Sequence, residues 1–226
     1  MKQKALYYLS LPYHYIWQFW RFLREFGIRA HCRKLRRRPH DPAPSILCNN
    51  CIGGLLCHDL GLEFRSPTVN LWMYPDDFCR FAQDVQLFLA AEWVELPPHT
   101  EDNEKYPKAL LRCAAGEITL YLQHYKTFDA AKAAWQRRAT RMDFENLYLL
   151  CEWRDLTRRQ LAALEALPYA RKAILTRTAA PPEFPHAVEL KGYQGKRYKG
   201  GDILRRPIWG VKRRYEEWDA VGFLNG

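Results

Sequence analysis

Between residues 45 and 176 the chain alternates short apolar runs with longer stretches in which apolar positions recur every three or four residues. Short runs bounded by polar turns read as buried strands, and three-and-four spacing reads as helices with one inward face. The pattern predicts a strand at Ser45–Cys48, a short helix over Ile52–Leu60, a second strand at Thr68–Trp72 and a helix over Asp76–Ala91. In that last helix Phe78, Phe81, Val85, Phe88 and Leu89 share a face, and Asp76 or Asp77 caps its start. The charged, proline-marked stretch Pro97–Pro107 reads as a loop. Beyond it follow an alternating strand Glu117–Gln123, a helix Phe128–Met142 capped by Thr127, a strand Leu147–Cys151, a helix Thr157–Leu167 and a strand Lys172–Thr176.

Strands separated by helices of this length predict an α/β fold: right-handed crossovers and a mostly parallel sheet with helices on both faces, in a Rossmann-like three-layer arrangement. Ligands of such sheets sit beyond the carboxyl ends of the strands. Asn49–Gly54 and Glu152–Asp155 lie at two such ends, and His124–Tyr125 follows a third strand.

Composition adds a boundary. The chain has 226 residues, 48% of them apolar, enough for one full core. No apolar run is long enough to span a bilayer, no export signal is visible, and seven cysteines make an odd set, so a cytoplasmic protein with reduced thiols is expected. The net charge of +10 is concentrated at one end. Residues 1–38 carry ten basic side chains against Glu25 alone, while the remainder is close to neutral. The same arm holds Tyr7, Tyr8, Tyr13, Tyr15, Trp17, Phe19, Trp20, Phe22 and Phe26 ahead of the basic run Arg33, Lys34, Arg36, Arg37 and Arg38. Rings beside cations suit a membrane interface with anionic lipid, so residues 1–40 read as a basic helical arm peripheral to the inner membrane. Packing of those rings onto the body is the structural alternative; nucleic acid is not the expected partner. A proline-bearing linker separates the arm from one α/β domain over 45–226, which carries a Gly-rich basic segment near 191–202.

Four constellations carry candidate chemistry. Cys51 sits in a polar turn before a helix, where a thiol pKa can fall and make a nucleophile, with His58, Asp59 or His124 as helpers. The amides near Gly53 and Gly54 offer an oxyanion or phosphate cradle. A small buried residue shaping the turn is the plain alternative for Cys51. Cys48 and Cys51 form a CxxC, but Cys48 points into the core from its strand and no second pair exists, so no metal is expected. Next, Arg137, Arg138 and Arg141 share a helix face that can converge on an anion, or simply face solvent. Glu152–Asp155 offers carboxylates at a strand end, with helix capping as the alternative, and the segment 191–202 suits a lid over an anionic substrate or an ordinary surface loop.

The run Asn49-Asn50-Cys51-Ile52-Gly53-Gly54, with His58-Asp59-Leu60-Gly61-Leu62 and Ser66-Pro67-Thr68-Val69-Asn70-Leu71, resembles the opening of a bacterial domain family of unknown function often labelled exopolysaccharide biosynthesis protein. Asp77-Phe78, His124-Tyr125-Lys126, Trp135-Gln136-Arg137-Arg138, Arg141-Met142, Asn146, Arg154-Asp155, Trp218-Asp219 and Leu224-Asn225 follow in that family's order. Cys57 stands where the family pattern has tyrosine. The resemblance covers about residues 45–226 and implies an α/β fold and a setting in capsule or exopolysaccharide biosynthesis. It brings no settled reaction. Joined to the residue chemistry, it leads to an expected glycan-modifying transferase, acyl transfer ahead of glycosyl transfer, with coenzyme A or a sugar nucleotide as donor. Cys51, His124 and Asp155 are the expected catalytic groups. Asn49, Asn50, Gly53, Gly54, Arg137, Arg138 and Arg141 are expected to bind the anionic substrate. Trp17, Trp20, Arg33, Lys34 and Arg36–Arg38 are expected to meet the membrane. A non-catalytic assembly protein and a cysteine hydrolase stay open as alternatives.

Overall fold

The computed structural model describes residues 2–100, 105–177, 181–191 and 202–225. In chain order the elements are a long helix α1 (Lys2–Arg36), β1 (Ser45–Cys48), α2 (Ile52–Leu60), α3 (Pro75–Gln83), α4 (Val85–Leu89), β2 (Glu92–His99), β3 (Tyr106–Cys113) and β4 (Gly116–Tyr121). Then come α5 (Phe128–Ala139), β5 (Leu147–Glu152), α6 (Arg158–Glu165), β6 (Lys172–Thr176), β7 (Ala187–Glu189) and α7 (Ala220–Phe223). The strands form two sheets, one in the order β1-β5-β6-β7 and one in the order β2-β3-β4.

The four-stranded sheet is parallel throughout, with Ser45 opposite Leu147, Cys48 opposite Leu150 and Glu152 opposite Leu175. Parallel strands are stable when both faces are covered, and here alternate residues serve two cores. Leu47, Leu149, Cys151 and Ile174 pack with Phe78, Phe81, Phe88 and Trp135 and with Leu111 and Ile118 of the antiparallel sheet. Ile46, Cys48, Tyr148, Leu150 and Leu175 pack on the other side with Ile52, Leu56 and Leu60 of α2 and with Ile203, Tyr215 and Leu224.

The structure departs from the sequence pattern in four places. Thr68–Trp72 is a turn, because Asn70 takes a left-handed φ of 67°, and Trp72 alone bridges to Tyr121. The helix over Asp76–Ala91 is two helices, broken at Asp84. Its first residue is Pro75, whose absent N–H costs nothing there, and Asp76 and Asp77 sit in the first turn without capping it. Of the stretch Pro97–Pro107, Pro97–His99 belong to β2 and Tyr106–Pro107 to β3, which pair antiparallel, and 101–104 lie outside the described residues. Pro97 and Pro98 fit because β2 is an edge strand, paired only with β3. Finally, the strand at Glu117–Gln123 is β4, antiparallel to β3, so His124 does not lie at a carboxyl end of the parallel sheet.

Helix α1 docks along one face. Trp20, Arg24, Gly27, His31 and Leu35 recur every three or four residues and all meet the body. Trp20 packs edge-on against Trp209 with ring centroids 4.7 Å apart, Arg24 Nη2 donates to the Pro207 carbonyl (3.3 Å), and Leu35 joins the α2 core. A Cβ on Gly27 would lie 3.0 Å from Val211 Cγ1, and His31 Nε2 meets Glu216 Oε2 at 2.5 Å.

Candidate functional site

At the carboxyl ends of β1 and β5 two asparagines splice the strands together. Asn49, fully buried, donates from Nδ2 to the Glu152 carbonyl (2.9 Å) and accepts the Glu152 amide at Oδ1 (2.8 Å), replacing the next rung of the ladder with a side chain. Asn50 Nδ2 also reaches the Glu152 carbonyl (3.3 Å) and donates to its Oε2, while Asn50 Oδ1 accepts the Ile52 amide (3.0 Å). Glu152 is 8% exposed. Burial pushes its pKa up to about 7 against the pull of the Asn50 hydrogen bond. A carboxyl poised there exchanges a proton readily at neutral pH.

Aromatic rings gather at the same end of the sheet, around Trp153, which packs with the core on the face opposite Tyr148 and Leu150. Trp72 stacks on Tyr121 with centroids 3.8 Å apart and lies 6.5 Å from Trp153, the residue after Glu152. Tyr74 contacts Trp153 (5.4 Å), Trp72 (5.2 Å) and Tyr121 (5.6 Å) and is 46% exposed. His99 stacks on Tyr106 at 4.6 Å and meets Tyr121 edge-on. The Met73 amide donates to the Asn49 carbonyl (2.9 Å), which fixes the Trp72–Tyr74 segment against the end of β1. Sequence reasoning passed over this group because Trp72, His99 and Trp153 are far apart in the chain. Glu152 itself was within the Glu152–Asp155 motif, with no sign of its burial.

The expected catalytic set does not assemble. Cys51 is buried, its sulfur faces the Leu71 carbonyl (4.0 Å), and desolvation pushes the thiol up to about 11, opposite to an activated nucleophile. His124 is exposed, and no hydrogen bond among the described residues joins it to Cys51. His58 sits at the far end of α2, hydrogen-bonded to Asp59. Asp155 is exposed and paired with Arg177 (2.7 Å) and Arg154 (3.7 Å).

The glycines prove to be packing devices. A Cβ on Gly53 would lie 3.0 Å from Cys48 Cβ, and one on Gly54 2.9 Å from Val69 Cγ1. The first amide of α2, that of Ile52, is already taken by Asn50 Oδ1. Arg138 is buried, donating to the Val69 carbonyl (3.0 Å) and to the Tyr125 hydroxyl (2.6 Å), which itself donates to Val69 O (3.0 Å). Arg141 pairs with Glu63 (3.3 Å), and Arg137 is exposed. The three arginines therefore do not converge. Thr68 Oγ1 accepts the Cys48 amide (3.0 Å) and bonds to Ser66 Oγ (2.9 Å), so Ser66–Val69 is bolted to β1, α2 and α5 together.

The arm divides its residues between two faces. Trp20 is half-buried on Trp209, Arg36 Nε donates to the Asp59 carbonyl (2.9 Å), and Arg38 pairs with Asp219 (2.7 Å), so these three are engaged with the body. Trp17 is exposed with the Arg21 guanidinium over its ring (4.8 Å), and Arg33, Lys34 and Arg37 are exposed. No helix among the described residues is long and apolar enough to cross a membrane. Of the Gly-rich basic segment near 191–202, residues 192–201 lie outside the described residues.

The family described as "Domain of unknown function (DUF1919)" matches residues 22–225. The chain belongs to this family. The match begins inside α1, so the docked half of the arm lies within the family domain and not outside it, as the motifs alone implied. An "Uncharacterized protein" of Haemophilus influenzae (strain ATCC 51907 / DSM 11121 / KW20 / Rd) is 29% identical over 194 residues, 85% of this chain and 89% of its own length. The Asn49–Glu152 splice and the Trp72–Tyr74 segment both lie inside the matched span.

Proposed function

We propose that this member of the family is a glycan-modifying transferase of capsule or exopolysaccharide biosynthesis, working at the cytoplasmic face of the inner membrane. The observation that carries this reading is the pairing of Glu152, a buried carboxyl with a pKa of about 7, with an open aromatic group at the same sheet end. Sugar rings pack their C–H faces on aromatic rings, whose faces are electron-rich, so Tyr74 and Trp153 form a platform for a pyranose. Glu152, as carboxylate, takes the proton of an acceptor hydroxyl while the hydroxyl oxygen bonds to the transferred group and the donor's leaving group departs. Asn50 holds the carboxyl in place. The donor is an activated acyl or glycosyl group, as on coenzyme A or a sugar nucleotide. Cys51 is not proposed as its attachment point, because a thiol raised to about 11 stays protonated.

The test is Glu152→Gln in cells making the surface polysaccharide, with glycan composition read by mass spectrometry. Loss of the modification, with the variant folded and present at wild-type level, is the expected result; an unchanged glycan sinks the reading. A second reading, a non-catalytic membrane-recruited assembly protein, draws support from the exposed rings of α1. It is favoured if Glu152→Gln is silent while loss of α1 stops polymer production.

A further inference from the structure

Outside the Glu152 site, a groove of about 630 Å³ opens between α1, the far end of α2 and the segment around Arg206 and Arg213. Its walls carry five arginines, Arg29, Arg33, Arg36, Arg206 and Arg213, together with His58, against two acids, Glu25 and Asp59. Asp59 is buried. Desolvation would raise its carboxyl, but hydrogen bonds from Arg213 and His58 and the charges of Arg213 and Arg206 outweigh it and hold the group below its ordinary value, so it is ionised. It takes Arg206 at 2.8 Å and Arg213 at 2.6 Å. One carboxylate cannot satisfy both forks. The Arg206 side chain is 8% exposed, and its Nη1 is buried without a hydrogen-bond partner. Arg36 spends its donors on the Asp59 and His58 carbonyls, which leaves its charge uncompensated, and Arg33 has no ion pair among the described residues. A concave surface with spare guanidinium donors and excess positive charge fits a phosphate, which accepts two parallel N–H bonds from each fork.

The same helix supplies the lipid half of the argument. Tyr15, Phe19, Phe22 and Phe26 recur at three- and four-residue spacing on the face away from the body, 60–67% exposed, with Ile16 and Leu23 beside them. That spacing continues without a break into Arg29 and Arg33, so one stripe passes from rings to cations, and Arg29 and Arg33 are both stripe and groove. Residues 15–26 span about 17 Å along the axis, close to half the apolar thickness of a bilayer. Ile208 and Trp209, 70% and 81% exposed, extend the apolar surface beside Trp20.

We propose that this groove is a binding site for the phosphomonoester or pyrophosphate headgroup of a membrane lipid, whose chains meet the aromatic stripe of α1. The site lies at the opposite end of the nine-residue α2 from Asn50 and does not depend on the Glu152 reading. The full chain is mixed with neutral phosphatidylcholine vesicles alone, and with vesicles doped with phosphatidic acid or with phosphatidylglycerol at matched charge, and flotation is measured; inorganic pyrophosphate is titrated separately by calorimetry. The expected result is flotation on phosphatidic acid vesicles well above phosphatidylglycerol, reduced about tenfold in affinity by Arg29→Ser/Arg33→Ser, whose side chains are exposed and leave the fold intact. Arg206→Lys keeps the charge beside Asp59 but removes the spare guanidinium donor, and is expected to weaken the same binding. Equal flotation on both anionic vesicles that ignores the arginine variants would overturn the site, since the stripe alone would then bind. So would pyrophosphate binding without flotation, which assigns the groove to a free phosphate ligand, and so would no binding at all. Transfer to a soluble acceptor stays unchanged in the arginine variants, so failure here and failure at Glu152 are told apart.

Discussion

Glu152 behaves differently from an ordinary carboxyl because folding removes it from water faster than Asn50 compensates. Its folded pKa of about 7 lies above the ordinary value of 4.5. Between those two values the folded protein holds a proton that the unfolded chain has released, so stability falls as pH rises through the window. The loss is about 3 kcal/mol at most, complete above pH 7. Urea unfolding across this range should show that decline in the wild type and a flat profile in Glu152→Gln; a flat wild-type curve contradicts the buried acid. Gly54 is the second residue whose role is spatial. In Gly54→Ala the new methyl meets Val69 Cγ1 at 2.9 Å, and overpacking of this kind costs about 1–3 kcal/mol, more than the gain in helix propensity. Val69→Ala in the same chain should restore part of the loss, a coupling that a double-mutant cycle reads directly. Cys51→Ala, by contrast, is expected to leave any transfer activity within a few-fold of wild type, because a thiol held near pKa 11 supplies no nucleophile.

The elements were legible where period and length agreed. β1 and β6 have the bounds their apolar runs predicted, and α6 starts after Thr157, whose side chain caps it in a box with Gln160. The failures share a cause: local pattern does not encode pairing partner. Pro97 and Pro98 look like loop residues until β2 is seen at an edge, and β4 reads like a parallel strand until β3 pairs with it in the opposite sense. The Thr68–Trp72 segment looks like a strand because Thr68, Val69 and Leu71 suit one, yet Thr68 serves β1, and Arg138 holds Val69 from α5. Removing Asp59 should show how strongly α2 is tied to the C-terminal segment. Asp59→Asn leaves Arg206 and Arg213 buried without a counter-charge, and a stability loss of about 3–5 kcal/mol is expected by thermal or urea unfolding. A loss well below 1 kcal/mol would mean the cluster is open to water.

For the molecule as a whole, α1 is an adapter with two jobs. Its Trp20, Arg24, His31 and Leu35 face is part of the folded domain, and its Tyr15 to Phe26 face is left uncovered. Phe22→Ser/Phe26→Ser should therefore leave unfolding unchanged while lowering vesicle binding, whereas His31→Ala, which takes away the partner of Glu216 Oε2 and leaves only the Arg213 amide on Oε1, should lower stability without touching the exposed stripe. Differential scanning calorimetry beside flotation separates the two.

By itself the sequence determined the α/β class, the strand ends at Asn49 and Glu152, and an arm rich in rings and cations, because each rests on local period, composition or spacing. Only the tertiary structure decided which of these residues meet. Burial turned Cys51 into an inert core thiol and Glu152 into a neutral-range acid, since desolvation depends on every chain segment packed around a group and on none of its sequence neighbours alone.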